Sequence, residues 1–174
     1  KLHSTLFVRC RDPGTTVEEA ALLHERTING TIRCVSATGC AIALAFAAPA
    51  PARDTLGIFG SWGAFRDAQP ARCFAIAQPD SVDGAGAGWK PFASVATWPA
   101  LGQRNQLHLR LSRRSAGRAA PVLIIDDDRF PLIVSGAEAW ALDAKTDAVI
   151  VATMRSARAM VVVGEGVGGA IRDA

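Results

Sequence analysis

From Gly57 onward the apolar residues come in short runs cut by Gly, Pro or charged turns, a texture that neither a helical bundle nor a βαβ chain carries. "CFAIAQ" (Cys73–Gln78) is a compact strand ended by Pro79, and "PFASVATW" (Pro91–Trp98) is another ended by Pro99. "NQLHLRLS" alternates strictly, with Leu107, Leu109 and Leu111 on one face and Gln106, His108 and Arg110 on the other, which predicts a half-buried strand. "PVLIID" reads as a buried strand, "DDR" as a turn into "FPLIV", and "SGAEAWALDA" as a short strand around Trp140. In this part of the chain only "KTDAVIVATMRSA" has helical character, over about residues 146–156. Thr146 is placed to cap it, Asp147 to sit in its first turn, and Ile150, Val151 and Met154 to share a face. Arg155 and Arg158 fall at its negative end. "MVVVGEG" and "GAIRD" add a strand, a turn and a further strand. Many short strands and one helix predict a mostly antiparallel β-sandwich.

The 174 residues suffice for one domain with a real core. A net charge of +3 is far from the dense basic stripe of a dedicated nucleic-acid binder, and the few aromatics with no Tyr weigh against a stacking platform. Cys10, Cys34, Cys40 and Cys73 form no C-x-x-C pair, and His3, His24 and His108 are scattered, so no metal site is expected.

The most apolar stretch, "CAIALAFAAPAPA" (Cys40–Ala52), is too short to span a bilayer as a helix, which takes about 20 residues. Arg26 and Arg33 precede it and an Ala50-Pro51-Ala52 site ends it, the pattern of a secretory signal. The expected division is an N-terminal extension or upstream sequence over residues 1–30, a signal peptide over 31–52 cleaved after Ala52, and the sandwich over 53–174. The extension offers one short helical pattern, Val17 to Leu23. A periplasmic, outer-surface or secreted location follows.

Other motifs weaken on inspection. Gly164, Gly166 and Gly169 spell G-x-G-x-x-G, but a dinucleotide site needs a following helix and an acidic residue about 20 positions on, and the context reads instead as a hairpin turn. Asp126, Asp127 and Asp128 are adjacent, so their carboxylates diverge instead of converging on a cation as alternately spaced ones do. No Ser or Cys has a base at recognisable spacing, and no G-x-S-x-G elbow exists. Cys73 lies beside Arg72, which can lower a thiol pKa, although an exported cysteine more often belongs to a disulfide. Arg104, Arg110, Arg113, Arg114 and Arg118 form the one charge cluster, with no acid among them, and mark a candidate interaction face. Trp62, Trp98 and Trp140 are expected in the core.

"FGSWGAFRD…RCFAIAQP", "NQLHLRLS", "FPLIVSGAEAWALDA" and "MRSARAMVVVGEGVGGAIRDA" together resemble the invasion-associated locus B family of exported bacterial proteins, over about Gly57 to Ala174. The resemblance implies an immunoglobulin-like sandwich in the cell envelope, no enzymatic activity, no cofactor, and a partner that is an envelope or host protein. It also implies a further C-terminal segment whose cysteine pairs with Cys73, and a sheet edge left open to self-association without that segment. The alternatives are a periplasmic small-ligand or lipid-binding module with an apolar pocket between the sheets, or an envelope enzyme with an unrecognised site.

Overall fold

Leu107, Leu109 and Leu111 turn inward to near-complete burial while His108 and Arg110 face out, as strict alternation requires. They belong to a computed structural model that describes residues 53–82 and 90–174. The extension, the signal segment, Cys10, Cys34, Cys40 and most of the Gly-rich connection after Val82 lie outside the described residues.

In chain order the strands are β1 (Arg53–Phe59), β2 (Trp62–Ala68), β3 (Ala71–Ala77), β4 (Phe92–Trp98), β5 (Gln103–Arg110), β6 (Val122–Ile125), β7 (Asp128–Pro131), β8 (Ile133–Ser135), β9 (Glu138–Trp140), β10 (Met160–Gly166) and β11 (Gly169–Asp173), with helix α1 (Ala144–Met154) between β9 and β10. They form two antiparallel sheets, one of seven strands in the order β1-β2-β3-β4-β5-β9-β8 and one of four in the order β11-β10-β6-β7. The protein is thus a mostly β, two-sheet sandwich with one helix.

One apolar cluster joins the layers. Trp62, Leu107 and Leu109 enter from the larger sheet, Leu123, Ile125, Val162 and Ile171 from the smaller one, and Ile150 from the helix. The chain changes sheet at Leu132, which is 3% exposed between β7 and β8 and donates its N–H to Pro121 O at 3.0 Å. Pro131 is tolerated because β7 is the edge of its sheet. The larger sheet ends on β1 and β8, which leave Ile58 and Ile133 exposed. The outer edge of β11 is partly covered by a bridge between Val82 and Asp173. No helix among the described residues is long and apolar enough to cross a membrane.

The helix starts two residues earlier than its pattern suggests, because Asp143, not Thr146, is the cap. The extended Asp143 accepts the Thr146 N–H at 2.7 Å, and that bond holds its carboxyl below the usual range. At the other end Arg155 is the C-cap and donates its N–H to the Ala152 carbonyl, while the Ser156 N–H goes to the Thr153 carbonyl, both at 3.3 Å.

Asp147 does more than occupy the first turn. β9 pairs β5 only over His108–Arg110, so the Leu107 N–H faces the helix, and the buried Asp147 carboxylate accepts it at 2.8 Å. Burial pushes the Asp147 carboxyl above its ordinary value, against the opposing effect of that bond. A raised folded-state pKa means that stability present at low pH is lost as pH climbs through and beyond the ordinary aspartate range, near about 4. Asp147→Asn keeps an acceptor for Leu107 and removes the charge. Its urea midpoint, measured from pH 3 to pH 7, is expected to gain on the parent as pH rises and to match or exceed it at pH 7. A variant that falls further behind with rising pH contradicts this account.

Candidate functional site

The outer face of the seven-stranded sheet carries most of the unusual chemistry. The period-2 alternation of β3 puts Arg72, Phe74 and Ile76 outside and Cys73, Ala75 and Ala77 inside. Across the register, Phe65 faces Phe74, Asp67 faces Arg72, Ser94 faces His108, Phe92 faces Arg110, and His108 and Arg110 face Trp140 and Glu138. Phe65, Phe74, Phe92, Trp98, His108 and Trp140, all half-buried, therefore share one face.

Their side chains form a ladder in two clusters. In the first, Phe65 stacks on Phe74 with centroids 5.5 Å apart, and Arg72 lies 4.5 Å from the Phe74 centroid and 5.0 Å from that of Trp98. Arg53 covers Phe74 from the edge strand at 5.2 Å. Asp67 clamps both cations, accepting from Arg53 Nε at 2.7 Å and Arg72 Nε at 2.8 Å, and the Arg53 bond above all holds its carboxyl below the usual range. Gly63 belongs here sterically, since a Cβ on it would meet the Phe65 ring at 2.7 Å.

In the second cluster, His108 stacks on Trp140 at 5.4 Å and meets Phe92 edge-on at 5.3 Å, while Arg110 lies 5.7 Å from the Phe92 centroid. Glu138 accepts from Arg110 Nε at 2.7 Å and pairs with His108 Nε2 at 2.7 Å. Burial pushes the Glu138 carboxyl up, but the hydrogen bonds from Arg110 and His108 outweigh it and leave it below its ordinary range. Between the clusters the β4 floor is made of small residues, Ser94 and Ala96. Such a face offers flat π surfaces and guanidinium groups held in place before any partner arrives.

The arginines that cluster in sequence do not cluster in space. Arg110 joins the ladder. Arg113 packs on the β10–β11 turn, its Nη1 donating to Gly168 O at 3.4 Å, and the Arg114 carbonyl accepts the Val167 N–H at 2.8 Å. Arg118 is exposed in the following loop, and Arg104 is exposed at the opposite end of β5. The acid missing from their neighbourhood is Glu138, supplied to Arg110 by β9. Arg53 and Arg72, the other cations of the ladder, fall outside the sequence cluster. The signal for Arg72 was present in the alternation of "ARCFAIA".

Of the three tryptophans expected inside, Trp62 is buried, whereas Trp98 and Trp140 stand on the outer face, because Ala139 takes the inward position on β9. Cys73 is disulfide-bonded. Arg72 points to the opposite face and so does not confront the Cys73 sulfur. Asp126 and Asp127 form the β6–β7 turn. Asp126, at φ 50°, accepts the Arg158 and Ala159 N–H groups at 3.1 Å each, a structural link to the segment after the helix. Among the described residues no group of three His, Cys, Asp or Glu side chains is placed to hold a metal ion. Gly164, Gly166 and Gly169 lie in the β10–β11 hairpin, with Gly166 paired to Gly169.

Ser94 opposite a His108 that is oriented by Glu138 has the residue types of a nucleophile, base and acid. Ser94 and His108 share no hydrogen bond, however, and His108 Nε2 is committed to Glu138. No family model, no curated protein and no solved structure matches the chain.

Proposed function

We propose that residues 53–174 form a non-enzymatic binding domain of the cell envelope, of the invasion-associated locus B type, that works through the outer face of its seven-stranded sheet. The observation that carries this reading is the ladder: Arg53, Arg72 and Arg110 lie over Phe74, Trp98 and Phe92 and are clamped by Asp67 and Glu138. Interfaces are enriched in just these residue types, aromatic and Arg, and rigid side chains lose little entropy on binding. The Ser94–His108 pair lacks the hydrogen bond that activates a nucleophile, which favours binding over catalysis. The family likeness extends the reading to an immunoglobulin-like sandwich, export behind the 31–52 segment, and an envelope or host protein as partner. Self-association through the β1 or β8 edge is the competing mode of contact, and the charged pairs at the start of β1 oppose it.

The test is capture from envelope extract with the full chain. Trp98→Ala and Arg72→Glu are expected to weaken capture at least thirtyfold each, the effect of losing a hot-spot residue worth about 2 kcal/mol. Arg113→Glu/Arg114→Glu is expected to leave it within about twofold, as rim charges do. Capture that survives the first two variants and fails with the third moves the contact to the basic loop and overturns the ladder. N-terminal sequencing of material exported by the native host is expected to begin at Arg53, and a start before Thr31 removes the export reading.

A further inference from the structure

Two guanidinium groups of the ladder share one carboxylate. Asp67 accepts Arg53 Nε on Oδ1, and on Oδ2 it accepts both Arg53 Nη2, at 3.2 Å, and Arg72 Nε. The neighbouring ion pairs are balanced one to one. Asp54 takes Arg66, and Glu138 takes Arg110, with His108 adding a charge only when protonated. The Arg53–Asp67–Arg72 group therefore carries one excess positive charge without help from a histidine. Within it Arg72 is held most closely. Its guanidinium carbon lies 4.5 Å from the Phe74 centroid and 5.0 Å from that of Trp98, and Asp67 fixes its Nε edge at 2.8 Å. Its Nη1 and Nη2 make no hydrogen bond among the described residues, and neither is buried, in a side chain 28% exposed. Four of its five N–H donors thus reach solvent from a group anchored on two rings and along one edge.

The chemistry of the ligand follows from the shape and charge of that group. A planar fork already held in place loses little freedom on meeting two acceptor oxygens, and a bidentate charge-assisted contact is stronger than a neutral one. A phosphate monoester brings about −1.5 to −2 charges at pH 7 and overshoots the single excess charge, whereas a carboxylate matches it. We infer that the Arg72 fork takes an aspartate or glutamate side chain of the protein that docks on the ladder, one carboxylate oxygen on each Nη, with Phe74 and Trp98 supporting the guanidinium. The inference rests on the ladder being the contact face, and names what its partner presents there.

The probes are the peptide Ac-Ala-Ala-Glu-Ala-Ala-NH2, its Gln isostere and its phosphoserine counterpart. Each is titrated into the full chain at pH 7 and fixed ionic strength while NMR follows the Arg72 Nε–H and Trp98 indole resonances. The Glu peptide is expected to shift both and to bind about tenfold tighter than the Gln peptide, with the phosphoserine peptide within about threefold of it. Arg72→Lys keeps the charge and removes the planar fork, and is expected to weaken the Glu peptide about tenfold. Arg66→Lys, on the opposite face of β2, is expected to stay within about twofold. If Arg72→Lys does not fold, the Glu-to-Gln ratio on the parent chain decides alone. Equal binding of the Glu and Gln peptides overturns the proposal. A phosphoserine peptide more than about tenfold tighter than the Glu peptide also overturns it and makes this a phosphate site. Equal losses on Arg72→Lys and Arg66→Lys overturn it in favour of diffuse charge attraction. If the peptides fail while Trp98→Ala still abolishes capture from extract, the ladder reading stands and only its carboxylate is removed.

Discussion

Leu107→Ala is expected to destabilise the domain by about 2–5 kcal/mol, the range for emptying a fully buried leucine site. Leu107 is 0% exposed at the centre of β5, where the larger sheet, the smaller sheet and the helix meet in one cluster. Its cross-strand partner is Val95, and its own N–H is held by Asp147 on the helix. The cavity has little room to collapse, since β5 is fixed on one side by β4 and on the other by β9 and α1. Leu101→Ala is the control, on a side chain 67% exposed in the turn before β5, and it is expected to change stability by no more than about 0.5 kcal/mol. Urea unfolding followed by far-UV circular dichroism reads both. A Leu107→Ala loss below about 1 kcal/mol places the core elsewhere than the Leu107–Leu123–Ile150 contact.

That core was legible because a period of two is hard to counterfeit. Leu107, Leu109 and Leu111 alternate with polar residues, and nothing except a strand with one buried face satisfies that order. Where a turn is short or a run changes partner, the sequence signal fails for a physical reason. In "GIFGSWGAFRD" the β1–β2 turn is only Gly60-Ser61, two small residues between Phe59 and Trp62, too short to interrupt the apolar pattern. "FPLIV" reads as one strand, yet Leu132 drops into the core and hands the chain from the smaller sheet to the larger one.

The site was less legible than the fold. Composition counts aromatics but does not place them, and strand pairing gathers Phe65, Phe74, Phe92, Trp98 and Trp140 onto one face from four strands. The acid that orders Arg110 and His108 comes from β9, 28 and 30 residues away along the chain. The helix cap was misplaced for a local reason. Asp143 and Thr146 are both good capping residues, and the chain uses the first because its carboxylate reaches the N–H of the second.

Gly166→Ala is expected to cost about 1–3 kcal/mol, and the reason explains why a G-x-G-x-x-G pattern exists here without a nucleotide. A Cβ at Gly166 would lie 2.9 Å from Arg113 Cβ, 2.9 Å from the Gly169 carbonyl oxygen and 3.0 Å from Ile171 Cγ1. Arg113 Cβ is fixed to its own backbone and the Gly169 oxygen belongs to the strand paired directly with Gly166, so relief requires the backbone of the hairpin or of the Arg113 loop to move. Glycine at 166 is thus the condition for β10 and β11 to pair beneath the Arg113 stem, with Ile171 1% exposed on the other side. Val167→Ala at the exposed tip of the same turn is expected to stay within about 0.5 kcal/mol. The two urea midpoints separate a steric requirement from mere turn preference. If Gly166→Ala matches Val167→Ala, close approach does not fix the glycine there. If it falls well below, part of the pattern that looks like a phosphate cradle is a packing constraint between two neighbouring strands and a loop.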